Sequence, residues 1–320
     1  KKKMCIAFWT TSTKLYRVVV ASNRDEFLER PTLAAHRWGA VFGPRDERGG
    51  GTWIGLSADD VPLRWAVLTN VRYPGAPPRV FRKSRGELVA KFVTDGTFDD
   101  DDYDAFNLVM GDINNGVTFA SNFPRTRLIM GDSINNGVTF SSNFPRTRRT
   151  RVSDDQVHCV SNGDLDGHWG KIHRGKDLFR KVLTEYDAEE HDDDTSSKDE
   201  KISSKISSSS KTLALAERLM EEVLFDEAKC APATDTGCSP EYEELFASIH
   251  LPMTREVDAM THQVDGRSLY GTRSATVLLV GRDDSVLFLE RHLLPVVDDK
   301  DDDDKEKTRF VWSPPKVHTF

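Results

Sequence analysis

Ala21-Ser22-Asn23-Arg24-Asp25-Glu26-Phe27, read together with Met4-Cys5-Ile6-Ala7-Phe8-Trp9, decides how this chain folds. The two stretches belong to apolar runs, Cys5 to Thr10 and Leu15 to Ala21, separated by the polar Thr11-Ser12-Thr13-Lys14. That pattern predicts a β-hairpin whose second strand ends in charged residues. A cysteine that opens a chain carries a thiol and a free α-amine in one residue. The amine has an ordinary pKa of about 7.7–8, so near pH 7 a useful fraction is neutral and can accept the thiol proton. Nucleophile and base are then one residue, with Arg24 and Asp25 well placed to fix both. The chemistry requires that nothing precede Cys5. With Lys1-Lys2-Lys3-Met4 attached, its nitrogen is an amide with no basic lone pair.

Outward from the hairpin, Arg45 to Gly51 reads as a charged, glycine-rich turn into a strand from Gly51 to Leu56. A further strand, Leu63 to Thr69, runs into Thr69-Asn70-Val71-Arg72-Tyr73-Pro74-Gly75. Ser84 to Val93 has Leu88, Val89, Phe92 and Val93 at helical spacing. Met110 to Arg127 is then repeated almost residue for residue by Met130 to Arg148, with Ser133 inserted and Ser141 in place of Ala120. Each copy carries an Asn-Asn-Gly turn and predicts a hairpin. Two copies do not make a solenoid, so one completes the fold and the other loops out or extends a sheet edge.

Val157 to Val160 is a short strand leading into Ser161-Asn162-Gly163-Asp164, and Asp177 to Tyr186 is helical. Ala188 to Lys211 is acidic, then rich in serine and lysine, and reads as a disordered insertion because it has too little apolar surface to bury. An amphipathic helix resumes from Leu213 to Phe225. The final hairpin pairs Thr272–Val280 with Ser285–Glu290, and the acidic run Asp298 to Lys305 is a solvated loop ahead of Phe310-Val311-Trp312. Strands at both ends and helices between them predict an α+β sandwich, helices covering antiparallel sheets, in one domain from residue 4 to 320.

Composition narrows the function. A formal net charge of −8 argues against nucleic acid or an anionic membrane as the main partner. No stretch approaches the ~18 apolar residues of a membrane span, and Met4 to Trp9 is too short for a secretory signal. Cys5, Cys159, Cys230 and Cys238 form no C-x-x-C pair, and His158, His168 and His173 lack the spacing of a compact metal site. A bridge between Cys230 and Cys238 is conceivable, but a reducing, cytosol-like compartment is the expectation. Neither a metal nor a cofactor is expected.

The ordered set M-C-I-A-F-W, A-S-N-R-D-E-F-L-E-R-P, G-G-T-W-I-G-L, L-T-N, R-G-E-L-V, F-N-L, V-S-N, Y-G-T-R-S-A-T-V-L-L-V and F-L-E-R closely resembles the transport-and-Golgi-organisation (NRDE) family. The resemblance covers Met4 to about Glu290, apart from the repeat and the insertion. That family is similar in turn to N-terminal-nucleophile (Ntn) hydrolases, which implies an αββα sandwich of two antiparallel sheets.

Residue by residue, the resemblance implies Cys5 as nucleophile, Arg24 and Asp25 at the second strand, Asn70 and Asn162 on later strands, and a late Arg273. In these roles Asp25 holds the protonated amine, and Arg24 and Arg273 lower the thiol pKa. The amides of Asn70 and Asn162 donate to an oxyanion, each worth about 2.7–4 kcal/mol. Bland readings stand beside these: Cys5 as a small core hydrophobe, both asparagines as turn residues, Arg24–Asp25 as a structural ion pair, Trp53 as core. The family also implies Golgi and secretory-pathway organisation, with lipid, acyl-CoA and haem handling. Two functions follow as expectations: a cysteine amidase or thioesterase acting on an acyl-type small molecule, or a non-catalytic carrier of acyl-CoA or haem. The expected setting is cytoplasmic, with Golgi or mitochondrial association.

Overall fold

The computed structural model describes residues 5–11, 13–59, 63–71, 83–97, 103–113, 116–122, 148–152, 156–193, 203–234, 236, 238–257, 264–297 and 308–320. The opening hairpin forms as expected: β1 (Cys5–Thr10) pairs antiparallel with β2 (Tyr16–Phe27), and Cys5 lies opposite Arg24. After it come β3 (Thr32–Trp38), β4 (Val41–Asp46), β5 (Ile54–Ser57), β6 (Arg64–Asn70) and helix α1 (Gly86–Asp95). Next are β7 (Phe106–Asp112), β8 (Gly116–Ser121), β9 (Arg148–Arg151), β10 (His158–Val160), α2 (Gly170–Asp193) and α3 (Ser203–Arg218). A π-helical stretch, Leu219–Leu224, continues α3 and is followed by α4 (Pro240–Leu245). The chain closes with β11 (Thr254–Val257), β12 (Val264–Gly281), β13 (Val286–Val297), β14 (Thr308–Trp312) and β15 (Lys316–Thr319).

Two antiparallel sheets result. The first runs β10-β1-β2-β12-β13-β14, with β11 on β12 and β15 on β13; the second runs β3 through β9 in chain order. Successive strand residues point to opposite faces, so each strand of the first sheet feeds two cores. Ile6, Phe8, Val19, Val277 and Leu279 pack against Phe179 and Val182 of α2 and Leu215, Leu219 and Val223 beyond. Ala7, Trp9, Val20, Leu278 and Phe288 face the second sheet's Phe42, Trp53, Trp65 and Val67. That sheet's outer face, with Leu68, Phe106 and Leu108, buries Leu88, Val89 and Val93 of α1. The molecule is therefore α+β, its two sheets face to face and helices on both outer sides. β1 is buried at every position because both of its faces are covered.

Two glycines seat α1 against the second sheet. A β-carbon on Gly51 would fall 2.3 Å from the carbonyl carbon of Gly86, and one on Gly86 would fall 2.8 Å from the Thr52 nitrogen. The G-G-T-W and R-G-E-L-V stretches thus touch backbone to backbone, which only glycine allows. At its far end α1 stops at Gly96, whose φ of 71° makes a left-handed cap with its N–H on the Phe92 carbonyl.

The structure departs from the sequence reading in several places. The segment 188–211, expected to be a disordered insertion, is helical at both ends, since α2 continues to Asp193 and α3 begins at Ser203; 194–202 lie outside the described residues. Once a helix is anchored by packed residues such as Val182 and Leu215, each added turn costs little. Of the duplicated hairpins, the first is β7–β8, whereas 123–147, holding nearly all of the second, lie outside the described residues. So do the acidic run Asp298–Lys305 and Tyr73-Pro74-Gly75. Strands β3 and β4 were not foreseen: the turn expected from Arg45 to Gly51 begins inside β4, which holds Gly43 and Pro44 at sheet positions beside β3. Among the described residues no helix is long and apolar enough to cross a membrane.

Candidate active site

The four residues Asn23 to Glu26 are consecutive on β2, so the sandwich divides them between its two interiors. Asn23 turns to the helix side, where its amide donates to the carbonyls of Leu224 (2.7 Å) and Ile249 (3.2 Å). It ties the end of the π-helical stretch, and the chain before β11, to the centre of the sheet. Arg24 and Glu26 turn to the space between the sheets, 4% and 0% exposed. Arg24 donates to Asp46 (3.0 Å) and Thr32 (3.0 Å), lies 3.5 Å from Glu26, and stacks 4.1 Å above the ring of Trp53. Arg30 reaches the same two acids, at 2.7 Å from Asp46 and 3.5 Å from Glu26. Asp46 also accepts the Gly49 N–H. These bonds hold its carboxyl below the usual range in spite of burial.

This clamp forms one wall of a cavity of about 240 Å³. Cys5, Asp25, Leu68 and Asn70 line it from strands β1, β2 and β6, Gly51 to Trp53 from the turn into β5, Lys83 to Gly86 from the approach to α1, and Asp104 from the approach to β7. More than half of the lining residues are ionisable and few are apolar, so the cavity suits a ligand with polar or charged groups.

Of the residues singled out from sequence, Cys5, Arg24, Asp25 and Asn70 all line this cavity. Arg24 acts on Cys5 in the expected direction but is outweighed, and Arg273 is not among the groups that act on it. Burial pushes the thiol up to about 12, and the neighbouring Asp25 adds to the rise. The Asp25 backbone N–H and the Arg24 charge pull the other way and are outweighed. The reason is burial, which is the largest of these effects; Arg24 is moreover shared with Asp46 and Glu26. With residues ahead of it, Cys5 is a protonated, 5% exposed thiol.

Asn162 does not reach the cavity as an oxyanion donor. It is 1% exposed, and its amide donates to the Asn70 backbone carbonyl at 2.6 Å. Beside it the Ser161 hydroxyl donates to the Cys5 carbonyl at 2.8 Å. The V-S-N stretch therefore anchors the backbones of Cys5 and Asn70. Asn107 steadies it in turn, donating to the Gly163 carbonyl at 2.7 Å.

Arg273 also stands apart. It occupies the bulge between Thr272 and Ser274 on β12, is 5% exposed, and donates through Nη1 to the Leu293 carbonyl. Its Nε has no acceptor among the described residues. Burial and the nearby Arg24 lower its pKa to about 10. Trp53 is core, as expected, and also carries the Arg24 stack. All four cysteines are free thiols, so Cys230 and Cys238 are not bridged. Among the described residues no three His, Cys, Asp or Glu side chains are grouped to hold a metal.

Asp25 behaves unlike an ordinary carboxyl. It is 3% exposed, and burial raises its pKa from 3.8 to about 7, opposed by Lys171 and by a hydrogen bond from Thr272. Between these values the folded chain binds the proton that the unfolded chain has released. Stability from this group is therefore complete below about pH 4 and is lost as pH rises towards 7, by roughly 4 kcal/mol in all. We expect Asp25→Asn to abolish this decline, so that urea midpoints of wild type and variant diverge from pH 4.5 to pH 8. Parallel curves over that range would contradict the assignment.

Sequence reading missed Asp46, Lys171, Thr272 and the Lys83–Arg85 approach. Asp46 and Thr32 lie on the unforeseen pair β3–β4. R-G-E-L-V was noticed as a motif but given no chemical role. The family described as Transport and Golgi organisation 2 matches residues 4–295, and the chain belongs to it. Its relatives include the Transport and Golgi organization protein 2 homolog of Bos taurus, 28% identical over 314 residues that cover 91% of this chain and 94% of that protein. The Homo sapiens homolog is 28% identical over 312 residues, with the same coverage of each chain. The Drosophila melanogaster protein of that name is 34% identical over 101 residues, 28% of this chain and 35% of its own length.

Proposed function

We propose that the cavity is the active site of an Ntn-type cysteine hydrolase acting on an amide or thioester of an acyl-type small molecule. In this reading the sandwich is an Ntn-hydrolase-like αββα fold, and the cellular role is the Golgi and secretory-pathway organisation for which the family is named. The observation that carries it is the position of Cys5. It opens a central strand, lines the cavity together with Asp25, and lies opposite Arg24 of β2.

When Cys5 is the first residue, its α-amine takes the thiol proton and Asp25 holds the resulting ammonium. The sulfur attacks the substrate carbonyl, and the Asn70 amide, which lines the cavity, donates to the oxyanion. The ammonium returns its proton to the leaving amine or thiol as the carbon–heteroatom bond breaks. Water then cleaves the acyl-cysteine, the amine again serving as base. Asn162 positions Asn70 through the latter's carbonyl.

A carrier of acyl-CoA or haem is the second reading. Two observations favour it: the thiol stays protonated while residues precede it, and Lys83 and Arg85 line the cavity with charges suited to phosphate or carboxylate. Cys5→Ala separates the two. As a hydrolase, the variant loses turnover and keeps ligand affinity within a few-fold. Wild type without turnover, but with affinity lost in Arg85→Ala, would establish the carrier.

A further inference from the structure

Thr272 lies directly across from Asp25 on the neighbouring strand β12, and is 1% exposed. Its hydroxyl donates to Asp25 Oδ1 at 2.7 Å, and the same oxygen accepts the backbone N–H of Leu251 at 2.8 Å. The Thr272 N–H in turn donates to the Leu251 carbonyl at 2.9 Å, so the two residues are locked together. A hydroxyl has one proton, and an amide donating into its oxygen directs that proton outward. The series amide, hydroxyl, carboxylate is polarised in one direction and ends on Asp25. The Asp25 backbone carbonyl is held separately, by the Tyr270 hydroxyl at 3.1 Å.

We propose that Thr272 is a positioning residue for Asp25: it fixes the carboxylate through Oδ1 and leaves Oδ2 as the oxygen that receives the Cys5 α-amine. This rests on the hydrolase reading and adds to it a residue outside the set that the sequence suggested. Lys171 on α2 favours ionisation and Glu26 on β2 opposes it, while Cys5 on β1 is the group served. Because the Thr272 bond is made to the ionised form, it offsets part of the cost of burial.

The test is a titration of the full chain with aspartate labelled by ¹³C at the carboxyl, the Asp25 signal assigned from Asp25→Asn. We expect Thr272→Val to raise the Asp25 midpoint by about one pH unit or more, and Thr272→Ser to restore it to within a few tenths of a unit. An unchanged midpoint in Thr272→Val overturns the proposal. Should that variant fail to fold, wild type decides: the Leu251 amide proton must shift with pH at the Asp25 midpoint and stay still in Asp25→Asn. A Leu251 amide indifferent to that midpoint also overturns it. Both readouts are independent of turnover. Failure of the hydrolase reading would instead appear as absence of acyl-cysteine chemistry with these titrations intact.

Discussion

Arg24→Met will destabilise the fold by about 3–5 kcal/mol, because it leaves buried carboxylates without their cation. The substitution keeps most of the side-chain volume, so the loss is electrostatic and not a matter of packing. Arg24 bonds Asp46 at 3.0 Å and lies 3.5 Å from Glu26, whose own exposure is 0%. Arg30 contacts the same two acids but is 17% exposed and cannot neutralise both. The pair β3–β4 is held to the first sheet partly through this clamp, by way of Thr32 and Asp46. Urea unfolding at pH 7 measures the loss. Adding Asp46→Asn to Arg24→Met should recover part of it, since one orphaned charge is then removed. A loss below about 1 kcal/mol would mean that water reaches the acids and the clamp is not structural.

Removing the residues ahead of Cys5 will raise the alkylation rate of that thiol by about a thousandfold at pH 8. With those residues attached the thiol pKa is about 12. At pH 8 roughly one molecule in ten thousand is then a thiolate. A free α-amine supplies a base within the same residue and a positive charge when protonated. Either effect returns the thiol towards its ordinary range of about 8.5, where about a quarter is ionised at pH 8. Iodoacetamide labelling of the full chain and of a chain beginning at Cys5, mapped by peptide mass, makes the comparison. Cys159, 0% exposed, serves as an unreactive reference in both. Equal rates at Cys5 would show that burial, and not the missing amine, holds the thiol inert.

Much of the fold was legible because it rests on apolar runs and turn chemistry. The Cys5–Ala21 hairpin, the strand ending at Asn70 and the long pairing of β12 with β13 follow from apolar runs bounded by polar turns. What escaped has physical causes. A strand holding Gly43 and Pro44 carries the signature of a turn, and only its neighbours β3 and β5 hold it in the sheet. The serine-rich start of α3 has weak local preference for helix and borrows its order from packed residues further along.

The site was legible in its members more than in their roles. N-R-D-E identified the right strand, yet successive side chains of a strand point to opposite faces, so Arg24 and Asp25 do not lie against each other. A pairing of the two was therefore never the geometric consequence of their adjacency. Asn162 turned from donor to support because its neighbour in space is the Asn70 carbonyl, a partner that no spacing in the chain reveals. Arg273 sits in a bulge, which re-aims a side chain without leaving a mark on the apolar pattern. Lys171 and Thr272 act on Asp25 from α2 and β12, far away in sequence.

As a hydrolase, the protein forms a covalent acyl intermediate on Cys5 in this cavity. The most direct measurement is intact-mass spectrometry of a chain beginning at Cys5, mixed with a panel of acyl amides and thioesters and quenched in acid at short times. We expect an acyl adduct on Cys5 that decays as free acid appears, and that is absent both from Cys5→Ala and from the chain retaining Lys1 to Met4. An unmodified Cys5 with no acid released, while Cys5→Ala binds the same compounds as tightly as wild type, would contradict it.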